Sequence, residues 1–338
     1  MQIHQDFKEK VLNLQPEDFN DLALEVFRYQ AKENKLYAQF IDFLGIKPKN
    51  VDSLAKIPFL PIEFFKSHQV LTGKATPQQI FESSGTTGQT TSKHYVADPD
   101  FYLAIAQQIF EGFYGKLADF EILALLPSYL ERGNSSLVYM VDYFIGKTQS
   151  KNSGFFLNNQ AELLERLNTP SLKKRLLIGV TFALLDLAEC SLDLNPIAQD
   201  PHLIVMETGG MKGRRKELVR EEAHQIMTQA FGRQDIHSEY GMTELLSQGY
   251  SMGEGIFYTP NSMKIFLRDV NDPLLVLDTQ QATQKRSGGI NVIDLANIDS
   301  CCFVATKDLG NFDQHKTGFN IIGRFDNSDV RGCNLMAI

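Results

Sequence analysis

The strongest signal in the chain is Phe81-Glu82-Ser83-Ser84-Gly85-Thr86-Thr87-Gly88-Gln89-Thr90-Thr91-Ser92-Lys93. Its two glycines let the backbone adopt positive φ angles and approach a ligand closely. Successive backbone N–H groups in such a loop bind anions, and the Ser and Thr hydroxyls add further donors. The residues just before it, Gln79-Ile80-Phe81, are typical of the end of a short strand. The composition therefore predicts a loop that binds a triphosphate.

This stretch is not a Walker A loop, because that motif places Lys directly after its second glycine. Here Gln89 follows Gly88, and the next lysine is Lys93. A hydroxyl-rich surface loop is the alternative interpretation, since clusters of Ser, Thr and Gly often mark loops.

The six residues Ser83-Ser84-Gly85-Thr86-Thr87-Gly88 resemble the phosphate loop of the adenylate-forming superfamily. That superfamily contains acyl-CoA synthetases, peptide-synthetase adenylation domains and firefly-type luciferases, which join a carboxylic acid to AMP. The resemblance implies that Ser83, Ser84, Gly85, Thr86, Thr87 and Gly88 bind ATP.

A second motif, Tyr240-Gly241-Met242-Thr243-Glu244, follows a predicted short strand at 235–240 and matches the Tyr-Gly-x-Thr-Glu motif of the superfamily. The resemblance implies that Tyr240 lies against adenine, that Gly241 allows close approach, and that Thr243 donates to the α-phosphate. Glu244 would bind Mg²⁺, which prefers oxygen ligands alongside phosphate. On their own, these five residues could also be a turn before a helix.

Two glycines, Gly209 and Gly210, follow a predicted strand at 202–206. In the superfamily the corresponding loop lies against the adenine ring, although a tight strand-to-helix turn explains the same residues and both interpretations can hold.

Two further residues, Asp308 and Arg324, resemble site residues of the superfamily. Asp308 would accept both ribose hydroxyls, but Leu309 separates it from Gly310, where the superfamily has an adjacent Asp-Gly pair. An acidic turn residue is the alternative for Asp308. Arg324 belongs to a hinge-like motif with Asp326 as the hinge residue, and would contact ribose or phosphate.

Two further segments, 57–66 and 126–136, resemble one branch of the superfamily, the acyl-protein synthetases of bacterial bioluminescence. These are the acid-activating subunits of the fatty acid reductase complex. In that branch a cysteine near the C-terminus receives the acyl group, and Arg331-Gly332-Cys333 matches it. The resemblance implies that Cys333, Glu244 and Thr243 are catalytic and that a reductase is the partner. Cys333 could instead be a small packed residue.

The other three cysteines, Cys190, Cys301 and Cys302, are predicted to be core residues because they lie within or beside apolar runs.

The chain ends at Ile338, shortly after the hinge-like motif. We expect it to lack the small C-terminal domain of most superfamily members, which carries a lysine that polarises the carboxylate. Lys93 and Lys212 are candidate replacements, and the sequence does not rank them.

The predicted fold is α/β, with interleaved doubly wound subdomains and a C-terminal β-rich subdomain like those of the adenylate-forming large domain. Continuous apolar runs at 122–126, 175–180 and 202–206 are typical of buried parallel strands. Segments 256–258, 263–267, 274–277, 289–293 and 302–305 predict a small antiparallel barrel or sheet. We place the boundary near residue 250, between an acid- and ATP-binding core at 1–250 and a β-rich subdomain at 251–338.

Composition excludes several classes of function. The 338 residues carry a formal net charge of −8, which does not favour a nucleic-acid binder. The sequence contains no C-x-x-C pair, so it does not predict a zinc site. Four cysteines in so long a chain do not indicate a disulfide framework. The N-terminus lacks the apolar core of a signal peptide and no apolar run is long enough to span a bilayer, so we expect a cytoplasmic protein.

The sequence thus predicts an AMP-forming acid–thiol ligase that activates a carboxylic acid, most simply a fatty acid, with ATP and Mg²⁺. Two alternatives stay open. One is an acyl- or aryl-CoA ligase with a truncated C-terminal domain, and the other is a nucleotide-binding scaffold subunit without catalysis.

Overall fold

The computed structural model describes residues 2–84, 90–127, 133–210, 218–277 and 287–325. Several predicted positions lie outside these residues: Gly85, Thr86, Thr87, Gly88, Lys212, Asp326 and Cys333. The helices are α1 (Gln2–Leu12), α2 (Phe19–Glu33), α3 (Lys35–Phe43), α4 (Phe64–Ser67), α5 (Pro99–Tyr114), α6 (Ser136–Thr148), α7 (Gln160–Asn168), α8 (Thr181–Ala188), α9 (Asn195–Gln199) and α10 (Arg220–Phe231). The strands are β1 (Leu60–Pro61), β2 (Gln79–Glu82), β3 (Lys93–Val96), β4 (Phe120–Leu125), β5 (Gly154–Phe155), β6 (Lys174–Gly179), β7 (Leu203–Glu207), β8 (Ile236–Tyr240), β9 (Gly249–Ser251), β10 (Met263–Arg268), β11 (Gly288–Asp294), β12 (Phe303–Phe312) and β13 (Phe319–Arg324).

A six-stranded sheet has the order β5-β4-β6-β7-β8-β9. The first five strands are parallel and β9 is antiparallel to β8. Every residue of β4 is buried, as the continuous apolar run predicts for a strand covered on both faces. The strand order reverses between β4 and β6, and ligands bind at such a switch point, beyond the carboxyl ends of the strands.

Helices connect these parallel strands and cover the sheet. Helix α6 follows β4 and packs against α5, whereas α7, which precedes β6, contacts α9, and α8 contacts α10. Helix α6 begins at a capped terminus, where the Ser135 side chain accepts a hydrogen bond from the Val138 N–H. The first residues of α6 therefore follow the carboxyl end of β4.

A second sheet, of five strands, contains β1, β12, β11 and β10 in that order, with β13 also paired to β12. Its pairs are antiparallel except β1 with β12. The predicted strands at 263–267, 289–293 and 302–305 are confirmed. The described residues show no strand at 256–258 or 274–277, where single bridges such as Tyr250 with Tyr258 form instead.

Strands β2 and β3 form an antiparallel hairpin, which pairs Glu82 with Lys93. The hydroxyl-rich loop is therefore the connection of this hairpin. Ser83 and Ser92 close it, because the Ser83 N–H donates to the Ser92 carbonyl at 3.0 Å and the Ser92 N–H donates to Ser83 Oγ at 2.9 Å.

The N-terminal helices are tied to the β-rich sheet. The buried Gln30 amide of α2 donates to the carbonyls of Asn297 and Ile298, and its oxygen accepts from the Cys302 N–H at 2.9 Å. The predicted α/β fold with a β-rich C-terminal part is confirmed, while the boundary at residue 250 stays a prediction. Among the described residues, no helix has the length and apolar character needed to cross a membrane.

Candidate functional site

A cavity of about 270 Å³ lies at the carboxyl ends of the parallel strands. Its walls come from the segments that follow β4, β6, β7 and β8, together with the ends of β2 and β13. This is the edge of a doubly wound sheet at which ligands are expected.

The cavity brings together residues from four separate predicted motifs. The lining residues that the sequence predicted are Ser84, Gly209, Gly210, Gly241, Thr243 and Arg324. Four other predicted residues are not on the cavity wall but lie behind it or beside it: Tyr240, Asp308, Glu244 and Ser83.

Tyr240, Asp308 and Arg324 contact one another. The Tyr240 hydroxyl donates to Asp308 Oδ2 at 3.0 Å, and Arg324 Nε lies 3.1 Å from Asp308 Oδ1. Asp308 and Tyr240 are buried, whereas the Arg324 side chain is 70% exposed. Burial raises the pKa of Asp308, and the positive charge of Arg324 opposes that rise.

Glu244 is buried and its carboxylate accepts a hydrogen bond from the Ser92 side chain, next to the hairpin loop. Burial raises the pKa of Glu244, whereas this hydrogen bond and the charge of Arg324 lower it. Ser92 could not be selected from the sequence, because one serine among many hydroxyl residues in the loop carries no positional signal.

Two buried polar residues that sequence reasoning missed hold the segment from Thr243 to Ser247. The His94 ring donates through Nδ1 to the Thr243 carbonyl at 2.8 Å, and burial lowers the pKa of His94 to about 4, so the ring is neutral. Asp294, at the end of β11, accepts from the N–H groups of Leu246 and Ser247 at 2.7 and 3.0 Å. Neither residue belongs to a local motif, so only the tertiary structure identifies it.

The Thr208-Gly209-Gly210 turn is held by Glu207, the last residue of β7. Glu207 Oε2 accepts from the Gly209 N–H at 2.6 Å and from Thr181 Oγ1 at 2.8 Å, and Oε1 lies 3.3 Å from Arg220 Nε. Burial alone would raise the pKa of Glu207, but hydrogen bonds and the charge of Arg220 lower it to about 2. Gly209 and Gly210 have positive φ angles of 72° and 89°, which explains glycine at both positions.

An acidic residue that was not predicted, Glu239, lines the cavity. It stands directly before Tyr240, and a Cβ atom on Gly241 would overlap its carboxylate, so packing alone requires glycine at position 241. The available signal was an acidic residue directly before the Tyr240-Gly241 motif.

The fold and the cavity define a class: an α/β protein with a cavity at the carboxyl edge of a doubly wound sheet. Among solved structures, the chain is similar to the amide bond synthetase McbA from Marinactinospora thermotolerans, with 16% identity, a TM-score of 0.46, and coverage of 72% of this chain and 48% of that one. It is also similar to the fatty acid AMP ligase from Legionella pneumophila, with 15% identity, a TM-score of 0.47, and coverage of 74% and 50%. A mutant form of coronafacic acid ligase from Pectobacterium brasiliense gives 18% identity, a TM-score of 0.42, and coverage of 66% and 43%.

The chain therefore spans half or less of the length of these three structures. No protein-family model and no curated protein matches it.

Proposed function

We propose that the protein activates a carboxylic acid with ATP, forming an acyl-adenylate and pyrophosphate, as an adenylate-forming enzyme of the acyl-protein synthetase type. This proposal rests on one observation: Ser84, Gly209, Gly241, Thr243 and Arg324 line the same cavity. These residues come from four motifs that lie far apart in the sequence, and one nucleotide can contact all of them only if they share a site.

The cavity offers groups suited to a nucleotide. The Arg324 guanidinium stands on its wall next to the buried Asp308 carboxylate, so a cation and an acceptor for ribose hydroxyls lie side by side. Ser135, Ser136 and Leu137 at the start of α6 also line it, and free N–H groups at a helix N-terminus favour a phosphate. We propose that these groups hold the phosphates and ribose while the acid occupies the rest of the cavity.

Mg²⁺ fits the residues around Glu244. The buried carboxylate with its Ser92 neighbour supplies hard oxygen atoms. Among the described residues no cluster of three or more His, Cys, Asp or Glu could hold a metal alone, which suits a metal bound by one carboxylate and by phosphate oxygens. When bound, Mg²⁺ would offset negative charge on the phosphates.

The second half of the proposal concerns the acyl group, which passes from AMP to the Cys333 thiol and then to a partner reductase. Cys333 lies outside the described residues, and this step is supported by the resemblance at Arg331-Gly332-Cys333. A cytoplasmic location is consistent with the proposal.

The experiment is a pyrophosphate-release screen across carboxylic acids of increasing length, with ATP and Mg²⁺ present. Acid-dependent release supports the proposal. ATP binding without acid-dependent release would mean a nucleotide-binding scaffold, and consumption of the adenylate only when CoA is present would mean a CoA ligase.

A further inference from the structure

Two polar side chains on the cavity wall each carry a hydrogen-bond acceptor without a donor among the described residues. They are Glu239, at the end of β8, and Gln248, just before β9. Each is more than nine-tenths buried, with relative exposures of 9% and 3%.

Glu239 makes no hydrogen bond or ion pair with any described residue, although it is surrounded by protein. The nearby Tyr102 hydroxyl is already used, because it donates to the Ser136 carbonyl at 3.1 Å. Burial and the negative charge of Glu207 raise the pKa of Glu239 to about 8. A buried carboxyl group without a partner is costly to ionise, so it stays protonated in the absence of a cation.

Glu207 provides the contrast within the same site. It is equally buried but accepts hydrogen bonds from Thr181 and Gly209 and pairs with Arg220. The protein therefore supplies donors to one carboxylate and leaves the other, which faces the cavity, without any from the described chain.

Gln248 provides a second acceptor on the cavity wall that lacks a donor. Its Nε2 donates to the Leu246 carbonyl at 3.0 Å, and a carbonyl only accepts, so the amide nitrogen faces Leu246. Its Oε1 is buried without a hydrogen-bond partner. Two hydrogen-bond acceptors, the Glu239 carboxyl group and Gln248 Oε1, thus belong to residues that line one cavity, and neither has a donor among the described residues.

The apolar side chains on the cavity wall include Leu137, Met140, Val180 and Leu245. We propose that the substrate acid carries an amine on its chain, and that Glu239 and Gln248 bind this group as an ammonium ion within the cavity. An ammonium has three donors and no acceptor, and its charge offsets that of an ionised Glu239. This inference rests on the proposed function, since it names the class of acid that is activated.

The test compares the best acid from the length screen with its α- and β-amino and α- and β-hydroxy derivatives, in acid-dependent pyrophosphate exchange. We expect one amino derivative to exceed the unsubstituted acid in kcat/KM by about tenfold or more, because a hydrogen bond to a charged group contributes about 1.5–3 kcal/mol. Glu239→Gln should lower that ratio by a similar factor, since the amide has no charge to pair with the ammonium. Gln248→Leu should lower it as well.

The control variant is Glu165→Gln, which changes an exposed glutamate on α7 outside the cavity and should leave the ratio unchanged. The inference is overturned if the unsubstituted or hydroxy acid is preferred, or if Glu239→Gln reduces the use of every acid equally. If no acid supports exchange, the proposed function fails. The inference is then tested separately, by calorimetric binding of unsubstituted hexanoic acid and its amino derivatives to the wild type and to Glu239→Gln. Tighter amine binding that depends on Glu239 upholds it, and equal binding of all derivatives to both proteins refutes it.

Discussion

The hydroxyl group of Tyr240 donates a hydrogen bond to Asp308 Oδ2 at 3.0 Å across 68 residues of sequence. Arg324 holds the other oxygen of the same carboxylate, with Nε 3.1 Å from Oδ1. Three residues that belong to three different motifs thus form one connected group beside the cavity. The Tyr240 ring also packs against Phe257 and Phe319, with centroids 5.9 and 5.4 Å away, so this group fixes the end of β8 to the β-rich sheet.

Replacing Tyr240 with Phe tests the structural part of this relationship. We expect Tyr240→Phe to lower the free energy of unfolding by about 1–2 kcal/mol, because a buried carboxylate loses one donor but keeps Arg324. Denaturant melts measure the change. Tyr258→Phe is the matched control, since that hydroxyl has no hydrogen bond among the described residues. Equal stability of Tyr240→Phe and the wild type would contradict the expectation.

Replacing Asp308 with Ala tests the predicted ribose contact. We expect Asp308→Ala to weaken ATP binding by about 1.5–3 kcal/mol, as for loss of a charged acceptor, and to affect acid binding less. Calorimetry with each ligand separately measures both affinities. Asp42→Ala, at an exposed position on α3, is the control. An unchanged affinity for ATP together with a changed affinity for the acid would show that Asp308 serves the acid.

The metal prediction concerns Glu244. We expect Glu244→Gln to abolish acid-dependent pyrophosphate exchange and to leave the fold intact, because the amide oxygen can still accept from Ser92 while the charge for Mg²⁺ is lost. Exchange assays across Mg²⁺ concentrations, with circular dichroism as the check on folding, measure this. Glu17→Gln, in an exposed connection, should behave as the wild type. Full activity of Glu244→Gln would remove Glu244 from the site.

Sequence predicted the parallel sheet well, for a physical reason. Strands β4, β6 and β7 are buried on both faces, so their residues form continuous apolar runs that need no partner to be identified. The Tyr-Gly-x-Thr-Glu motif was also visible, since it is local in sequence.

Other features could not be predicted because their partners are distant. His94 and Asp294 hold the segment from Thr243 to Ser247 from two other strands, and nothing in their neighbouring sequence indicates these contacts. The segment 274–277 is a short apolar run bounded by turn residues, as expected for a strand, yet Leu274 and Leu275 are 57% and 49% exposed. Its backbone forms a turn instead of a strand. The Leu274 N–H donates to the Asp272 side chain, and the Asp269 N–H donates to the Leu275 carbonyl.

The segment Pro58–Pro61 illustrates an intermediate case. Its two prolines predicted an extended or turning connector. The structure shows an extended chain whose residues Leu60 and Pro61 pair in parallel with Val304 and Ala305 of β12. Proline restricts the local backbone, but the pairing depends on a strand more than two hundred residues away.

The raised pKa of Glu239 predicts a dependence of stability on pH. Burial raises this pKa to about 8, above that of the unfolded chain, so between the two values the folded protein binds the extra proton. Stability should therefore fall as pH rises through this range. Glu239→Gln lacks the titrating group, so its stability relative to the wild type should increase between about pH 5 and about pH 8. Chemical denaturation of both proteins at each pH measures the difference, and a difference that does not grow with pH would contradict the environment of Glu239.

The last prediction assigns the acyl-accepting thiol to Cys333. The thiolate is the nucleophilic form of cysteine, and burial raises the pKa of Cys301 to about 12 and also raises the pKa of Cys302 well above its usual value. Cys301 and Cys302 are fully buried, as predicted for core residues, whereas Cys190 is half-buried and packs against the core. Cys333 follows Arg331 in the sequence, and a nearby cation would lower the pKa of its thiol.

The measurement is incubation with ATP, Mg²⁺ and a labelled acid, followed by neutral hydroxylamine, which cleaves thioesters. We expect Cys333→Ser to lose the hydroxylamine-sensitive label while it still forms acyl-adenylate, and Cys190→Ser, the control, to keep the label. If the label persists in Cys333→Ser, or maps to Cys190, Cys301 or Cys302, another thiol accepts the acyl group. Because adenylate formation is measured in the same samples, loss of both signals would indicate a damaged nucleotide site instead of a missing acceptor.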